Sequence, residues 1–300
     1  GESEHPDLLA WVATDGNVPE EIPAVTMDWQ GRANRLSKEH DDWPAIERVH
    51  RACTHGGKPD TARTERRSTF LPLAVSEQSA ERVIRTRRSA QVMDGETSIP
   101  REVFYTMLAR VTPGLTACPW DTQTWPAMVS LGLFVHLVDG LDPGLYLHVR
   151  GPDHEKELRE ALTGEFEWQR PEGCPDALPL HLLRRGDARD LAAQVSCTQD
   201  IAGMSAFSLG MIARFASPIQ AHGASFYRRL FWETGMIGQV LYLDAEAFGV
   251  RGTGIGCYFD DLVHQCFGIK TAAWQSLYHF TVGGPLVDDR LATLPAYPDR

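Results

Sequence analysis

The sequence predicts an α+β fold from three observations: two strand-like segments joined by tight turns near residue 140, a long apolar helix from Phe226 to Phe248, and a closing strand near residue 280. VSLGLFVHLV, residues 129–138, alternates Leu131, Leu133, Val135 and Leu137 against other residues, the period of a strand with one face in the core. Asp139-Gly140 and Asp142-Pro143-Gly144 then turn the chain into LYLHV, so the two segments form a hairpin. SLYHFTVGGP, residues 276–285, is the closing strand. Strands at both ends with helices between them define the class.

Residues 1–75 read as an extension without a full core of their own. They contain one short amphipathic helix in DDWPAIERVHRACTHGG and a polar, charged linker, KPDTARTERRST. A regular domain is expected over 76–300. SAERVIRTRRSA is a helix or turn leading into arginines; Ser98 and Pro100 signal the start of a helix over REVFYTMLARV, which ends before Pro113-Gly114. DHEKELREALTG reads as a short exposed helix, and 190–215 as a strand or loop followed by a helix that Gly203 and Gly210 interrupt. Between Tyr227 and Phe248 apolar residues fall on nearly every face, the pattern of a helix enclosed by protein. Gly235 and Gly238 share one face. Each costs about 1 kcal/mol against alanine in a helix interior, so the pair marks close approach by another helix. Gly252, Gly254 and Gly256 alternate with Thr253 and Ile255, an extended segment whose backbone N–H groups a ligand can approach. Asp260 and Asp261 are expected to cap the following helix, DLVHQCFGI.

A formal net charge of −11 argues against nucleic-acid binding, and 43% hydrophobic residues suffice for a substantial core. No apolar run approaches the ~20 residues of a membrane span, and GESEHPDLLAW lacks the parts of a signal peptide. The expectation is a cytoplasmic protein that engages no membrane. Cys53, Cys118, Cys174, Cys197, Cys257 and Cys266 are scattered without paired spacing, which suits reduced thiols. Cys257, His264 and Cys266 lack the close pairs of a zinc site, so no metal is expected. GTGIG follows a helix, the reverse of a dinucleotide fingerprint. Cys197 with His136 or His279 stays open as a nucleophilic pair, beside the reading of a small core residue. Trp120 and Trp125 read as packing residues, one of them alternatively covering a partner's ligand.

Four motifs in order resemble a known family. They are Ile84-Arg85-Thr86-Arg87-Arg88-Ser89; the hairpin VDGLDPGLYLHV; Glu233-x-Gly235-x-x-x-Gln239 with Gly249-Val250, the Gly252–Gly256 strand and Phe259-Asp260-Asp261; and the closing strand. Together, over about residues 76–298, they resemble the FMN-dependent nitroreductase family, in its SagB-type branch related to azoline-oxidising dehydrogenases. The resemblance implies a mostly antiparallel central sheet flanked by helices and FMN bound between two copies of a dimer; the apolar residues on nearly every face of the 226–248 helix place that helix at the subunit interface. Arg87, Arg88, Ser89 and Gln91 would contact its phosphate, ribityl chain and pyrimidine, while the backbone of Gly254, Ile255, Gly256 and Cys257 would face the ring near N5. The implied reaction is ping-pong hydride transfer, with NAD(P)H or an organic donor and a small-molecule or peptide-derived substrate. No catalytic side chain is assigned.

The chain departs from the family at three places. Gln91 stands where a basic residue is common; Leu294-Pro295 is followed by Ala296-Tyr297-Pro298 where a second basic phosphate contact is expected; and TACPWDTQTWP replaces a serine- and asparagine-containing partner loop. The segment from Glu4 to Trp43 resembles the connection before a second half, so the chain is expected to correspond to the C-terminal half of a tandem protein, pairing with itself or a homologous half. An alternative is a non-catalytic half serving in dimerisation or peptide recognition.

Overall fold

A computed structural model describes residues 43–54, 71, 74–116, 118–151 and 153–294. The chain divides into two units, Gly1–Arg51 and Ala52–Arg300. Apart from Trp43, the described residues of the first lie in α1 (Pro44–Cys53), the expected amphipathic helix, in which Arg51 and Glu47 pair at 2.8 Å. The expected linker over 58–69 and all but the last residue of the segment from Glu4 to Trp43 lie outside the described residues.

In the second unit, α2 (Ala80–Thr86) begins at Ser79, whose hydroxyl accepts from the Arg82 N–H at 3.3 Å. A two-residue β1 (Ile99–Pro100) leads into α3 (Arg101–Arg110), which stops before Pro113 as expected. Then come β2 (Val129–Val135), β3 (Val138–Asp139), β4 (Gly144–His148), α4 (His154–Ala161), β5 (Leu180–Arg185), α5 (Arg189–Val195) and α6 (Asp200–Gly203). The chain closes with β6 (Phe207–Arg214), α7 (Ala216–His222), α8 (Phe226–Ala247), β7 (Arg251–Ile255), α9 (Asp260–Phe267) and β8 (Trp274–Gly283). Six strands form one sheet in the order β5-β4-β2-β6-β8-β7, with every neighbouring pair antiparallel; β1 and β3 form a small parallel pair beside it. The expected hairpin is present, with Leu131 opposite His148 and Val135 opposite Gly144.

Helices cover both faces of the sheet. Leu131, Leu133 and Val135 of β2, Leu209 and Met211 of β6 and Phe280 of β8 pack with Phe104 and Leu108 of α3 and Ile237 and Leu241 of α8. Phe134, Leu147, Ile212 and Trp274 pack on the opposite side with Leu158 of α4, Ala192 and Val195 of α5, and Val263 and Phe267 of α9. This two-sided cover corrects the expectation for β2, all seven of whose residues are buried. Gly132 is why α9 fits: a Cβ there would lie 2.7 Å from Phe267 Cζ. The expected mostly antiparallel sheet flanked by helices is thus observed.

Three local readings are corrected. Residues 190–215 run helix, helix, strand: Phe207–Ala213 is an interior strand buried on both faces, its Ser208 and Ile212 as enclosed as Leu209 and Met211. Helix α8 buries one stripe, Phe226, Leu230, Glu233, Thr234, Ile237, Gly238, Leu241, Asp244 and Ala245, and leaves Trp232, Gly235 and Gln239 exposed. No described group of the chain approaches Gly235 within 4 Å of a Cβ position, while Gly238 packs on Phe280 of β8 at 3.7 Å. Finally, Asp260 and Asp261 lie inside the first turn of α9, whose N-cap is Phe259; there they favour the helix dipole but make no side-chain cap.

What fixes α8 on the sheet is a buried ion pair. Glu233 and Arg150 have fully buried side chains with Oε1 and Nη1 2.5 Å apart. The same carboxylate accepts from the N–H groups of Met128 at 3.0 Å and Val129 at 3.2 Å, where β2 begins. Arg150, just beyond β4, also donates from Nε to Val111 O at 2.5 Å and from Nη1 to Val129 O at 2.9 Å, and its guanidinium lies 4.7 Å from the centre of the Trp120 ring. One pair therefore ties α8, β2, the end of β4 and the exit of α3 together. Removing one partner strands the other charge, so Arg150→Met is expected to destabilise the fold by about 3–5 kcal/mol. A urea midpoint unchanged from wild type would contradict this.

Four buried histidines add an acid limit. Burial lowers His136 and His154 from the ordinary 6.5 to about 4, and His148 and His279 to about 3. Below pH 6.5 the unfolded chain takes up protons that the native chain refuses, so stability is full above 6.5 and falls as pH drops through the native values. Each histidine contributes a slope of up to about 1.4 kcal/mol per pH unit in that window. Urea midpoints should fall steadily below pH 6.5, and His136→Asn should flatten the slope; a pH-independent midpoint down to about 4 would contradict the assignment.

Candidate functional site

The two segments proposed to hold a ligand meet through one side chain, Tyr242 of α8. Its hydroxyl oxygen accepts from the Gly254 N–H at 2.8 Å and from Ser89 Oγ at 3.1 Å. The Arg87 guanidinium lies 4.8 Å from the centre of the Tyr242 ring, and that ring packs edge-on against Phe280 of β8. Backbone bonds add to the junction: Ala90 N–H donates to Gly252 O at 3.2 Å, and Thr253 Oγ1 donates to Ala90 O at 2.6 Å. Residues far apart in sequence thus form one surface because α8 carries Tyr242 between α2 and β7.

Arg87 is half-buried and has no carboxylate partner among the described residues. Arg88 is engaged by carbonyls, donating to Arg87 O at 2.8 Å, Arg85 O at 3.3 Å and Leu294 O at 3.2 Å. Gln91 is exposed. The expected gap beyond Leu294, at Pro295–Pro298, lies outside the described residues.

On β7, Gly254 is explained within the chain, since a Cβ there would lie 2.6 Å from Tyr278 Oη. Ile255 is buried against the α5 and α9 side. Gly256 and Cys257 follow the strand and are exposed; a Cβ on Gly256 would meet only Tyr278 Cε2, at 3.7 Å. Neither the Gly256 nor the Cys257 N–H finds an acceptor among the described residues. Two free backbone donors beside an open glycine, a tyrosine hydroxyl and an unpaired guanidinium suit a flat, polar-edged ring with an anionic tail. Tyr242 and Tyr278 were not singled out from sequence. Tyr242 reads as one more aromatic in an apolar helix, and the only signal for Tyr278 is that it shares the strand face of Phe280, two residues on.

The cysteines depart from expectation. Cys197 and Cys257 form a disulfide, with Cα atoms 5.7 Å apart, and the reading of scattered reduced thiols is corrected for this pair. Its partners are 60 residues apart, so no local spacing announced it. Cys53, Cys118, Cys174 and Cys266 are free thiols. With its sulfur bonded, Cys197 is no nucleophile here, and His279 meets Ser196, its Nδ1 3.2 Å from Ser196 Oγ. His264 Nε2 accepts from the Ser276 N–H at 3.0 Å, and no group able to hold a metal occurs among the described residues. Trp120 and Trp125 are buried packing residues, Trp120 donating from Nε1 to Arg110 O at 2.7 Å. No helix among the described residues is long and apolar enough to cross a membrane.

These features sit on a fold with known counterparts. The nitroreductase family model matches residues 157–284, a span that takes in α4 to β8 and leaves out the arginine segment. The chain is similar in structure to a candidate nitroreductase from Anabaena variabilis ATCC 29413, with a TM-score of 0.53 and 20% identity over 69% of this chain. A candidate nitroreductase from Ralstonia eutropha JMP134 aligns with a TM-score of 0.50 and 14% identity over 73% of this chain and 88% of its own. The chain spans only 38% of the Anabaena protein's length. No curated protein matches the sequence. The fold is nitroreductase-like.

The junction makes its own prediction. Tyr242→Phe removes the acceptor of the Gly254 N–H and should cost about 1–3 kcal/mol, with faster amide exchange at Gly254 than elsewhere on β7. Unchanged exchange at Gly254 would mean that another acceptor serves it.

Proposed function

We propose that the chain is a flavin-dependent oxidoreductase of the nitroreductase type, holding FMN between Arg87–Gln91 and Gly254–Cys257. The observation that carries this reading is the Tyr242 hydroxyl, which joins Ser89 to Gly254 and so brings both motifs to one surface. Bound FMN would supply two-electron hydride chemistry, passed in ping-pong turnover from NAD(P)H or an organic donor to a small-molecule or peptide-derived substrate. Arg87 offers a fixed cation for the phosphate. Ser89 and Gln91 offer polar side chains toward the ribityl chain and pyrimidine, and the free N–H groups of Gly256 and Cys257 offer donors to the ring edge near N5.

The domain that binds it would be 76–300, with 1–75 as an extension. The four sequence motifs favour the SagB-type, azoline-oxidising branch, and the start GESEHPDLLAW, which lacks the parts of a signal peptide, favours a cytoplasmic enzyme. The exposed side of α8, with Trp232 flanked by half-buried Phe231 and Met236, supports completion of the site by a second copy or a homologous half. A second reading, a non-catalytic half used in dimerisation or peptide recognition, is favoured by the engagement of Arg88 with backbone carbonyls.

Titration of FMN into wild type, Arg87→Ala and Gly256→Leu separates the two. Arg87→Ala should weaken binding by about 1.5–3 kcal/mol, the worth of a charged hydrogen bond. Gly256→Leu should block the ring sterically. Equal affinity in all three proteins, or no binding by dimeric wild type, would favour the non-catalytic half.

A further inference from the structure

The disulfide between Cys197 and Cys257 lies where the proposed flavin segment ends, and the chain holds its two sides together by contacts that do not involve sulfur. Phe259 N–H donates to Val195 O at 2.8 Å, bridging the loop after β7 to the end of α5. Gln199 donates from Nε2 to both Ser196 O at 2.9 Å and Cys257 O at 3.2 Å. His279 is the inner clamp. It meets Ser196, the neighbour of Cys197, through Nδ1, and stacks at 4.5 Å between ring centres on Tyr258, the neighbour of Cys257.

A disulfide stabilises mainly by constraining the unfolded chain, whereas the native placement of these two loops is held by contacts without sulfur. Here the chain between the cysteines already runs through β6, α8 and β7, and the clamps set the two loops side by side. Breaking the S–S bond would leave the sulfurs facing each other, ready to close again. Two further features suit a bond that opens in place. Cys257 is exposed while Cys197 is half-buried, which gives an incoming thiol one sulfur to attack and leaves the other as leaving group. Cys197 and Thr198, neither a glycine, both hold left-handed backbone with φ of 56°, a conformation that the surroundings must impose.

We propose that Cys197 and Cys257 form a redox-active pair that passes electrons between a thiol–disulfide couple in solution and the flavin held at Gly254–Cys257. The proposal rests on the flavin reading above. A small dithiol attacks Cys257 Sγ, the S–S bond breaks, and Cys197 departs as thiolate and takes a proton. The donor's second thiol then resolves the mixed disulfide, releasing Cys257 as a thiol and the donor as its own disulfide. The pair now carries two electrons and two protons more. Re-forming the S–S bond would release two electrons and two protons, which oxidised flavin, when bound, would accept, so that thiol oxidation would balance flavin reduction; the reverse direction would run by the same steps. Cys257 is thus the exchanging sulfur and Cys197 the resolving one.

Two measurements on the full chain test this. In the first, FMN-loaded wild type and Cys197→Ser are titrated anaerobically with a one-electron reductant, with Cys197→Ala as a second variant and circular dichroism as the check on folding. Wild type should take up two electron equivalents per chain more than either variant, and dithiothreitol should bleach its visible flavin absorbance faster. Equal uptake and equal bleaching in flavin-loaded proteins would overturn the relay. In the second, without FMN, wild type is reduced by dithiothreitol, alkylated and weighed, then reoxidised and weighed again. A reversible gain of two alkylations at Cys197 and Cys257 with unchanged circular dichroism is expected. A bond that resists reduction in the native chain, or whose loss unfolds it, would make the disulfide a staple and overturn the proposal. Absence of FMN binding in a wild type whose cysteines cycle reversibly would bring down the flavin reading and the relay with it, and would locate the failure in the former.

Discussion

The arrangement of this molecule depends on a charge pair with no access to water. Two ions removed from solvent are tolerated only when their remaining hydrogen-bonding capacity is met. Glu233 accepts from two N–H groups at the start of β2, and Arg150 donates from Nε and Nη1 to two carbonyls and lies over the face of Trp120. Since the two ions come from α8 and the end of β4 and their partners from the start of β2 and the exit of α3, the contacts form together only in one mutual arrangement of α8, α3 and the β2–β4 hairpin. Apolar contacts on the same face are less particular about register. The pair therefore specifies where α8 lies, while the apolar stripe along that helix supplies the driving force to bury it.

The position of α8 in turn creates the candidate site. Tyr242 lies about two and a half turns after Glu233 on the same rigid helix, so fixing one end places its hydroxyl between Ser89 and Gly254. The glycines of β7 then serve neighbours of different kinds. Gly252 yields to Phe280 and Gly254 to Tyr278, both within the chain, whereas a Cβ on Gly256 would make only an ordinary contact with Tyr278, at 3.7 Å. Only the last has a spacing left for something outside the chain, and it adjoins exposed Cys257. Structural packing and candidate chemistry thus divide along a single strand within three residues.

The opposite side of the sheet contributes through His279. Its ring is buried and kept neutral by burial, so it serves as a shaped polar post and not as a charge. Ser196 and Tyr258 lean on it from the two loops that bear Cys197 and Cys257. A disulfide at that place joins loops that His279 and Gln199 already hold side by side.

Patterns with short physical range were legible from the residues alone: the hairpin turns at Asp139-Gly140 and Asp142-Pro143-Gly144, the helix stop before Pro113, the extended glycine segment and the α+β class. Each depends on local backbone preference or on a period within a few residues. Other features needed the folded chain. The strand Phe207–Arg214 lies inside the sheet with Ser208 as buried as its apolar neighbours, and the outward side of α8 looks as apolar in sequence as the inward one. The roles of Arg150, Tyr242 and Tyr278, and the pairing of Cys197 with Cys257, depend on distances between residues tens of positions apart. Local sequence determines which elements form and where they end, because backbone sterics act over neighbouring residues. Which side chains become partners was decided only by the tertiary structure, because burial and charge act through space and a sequence does not record who is near whom.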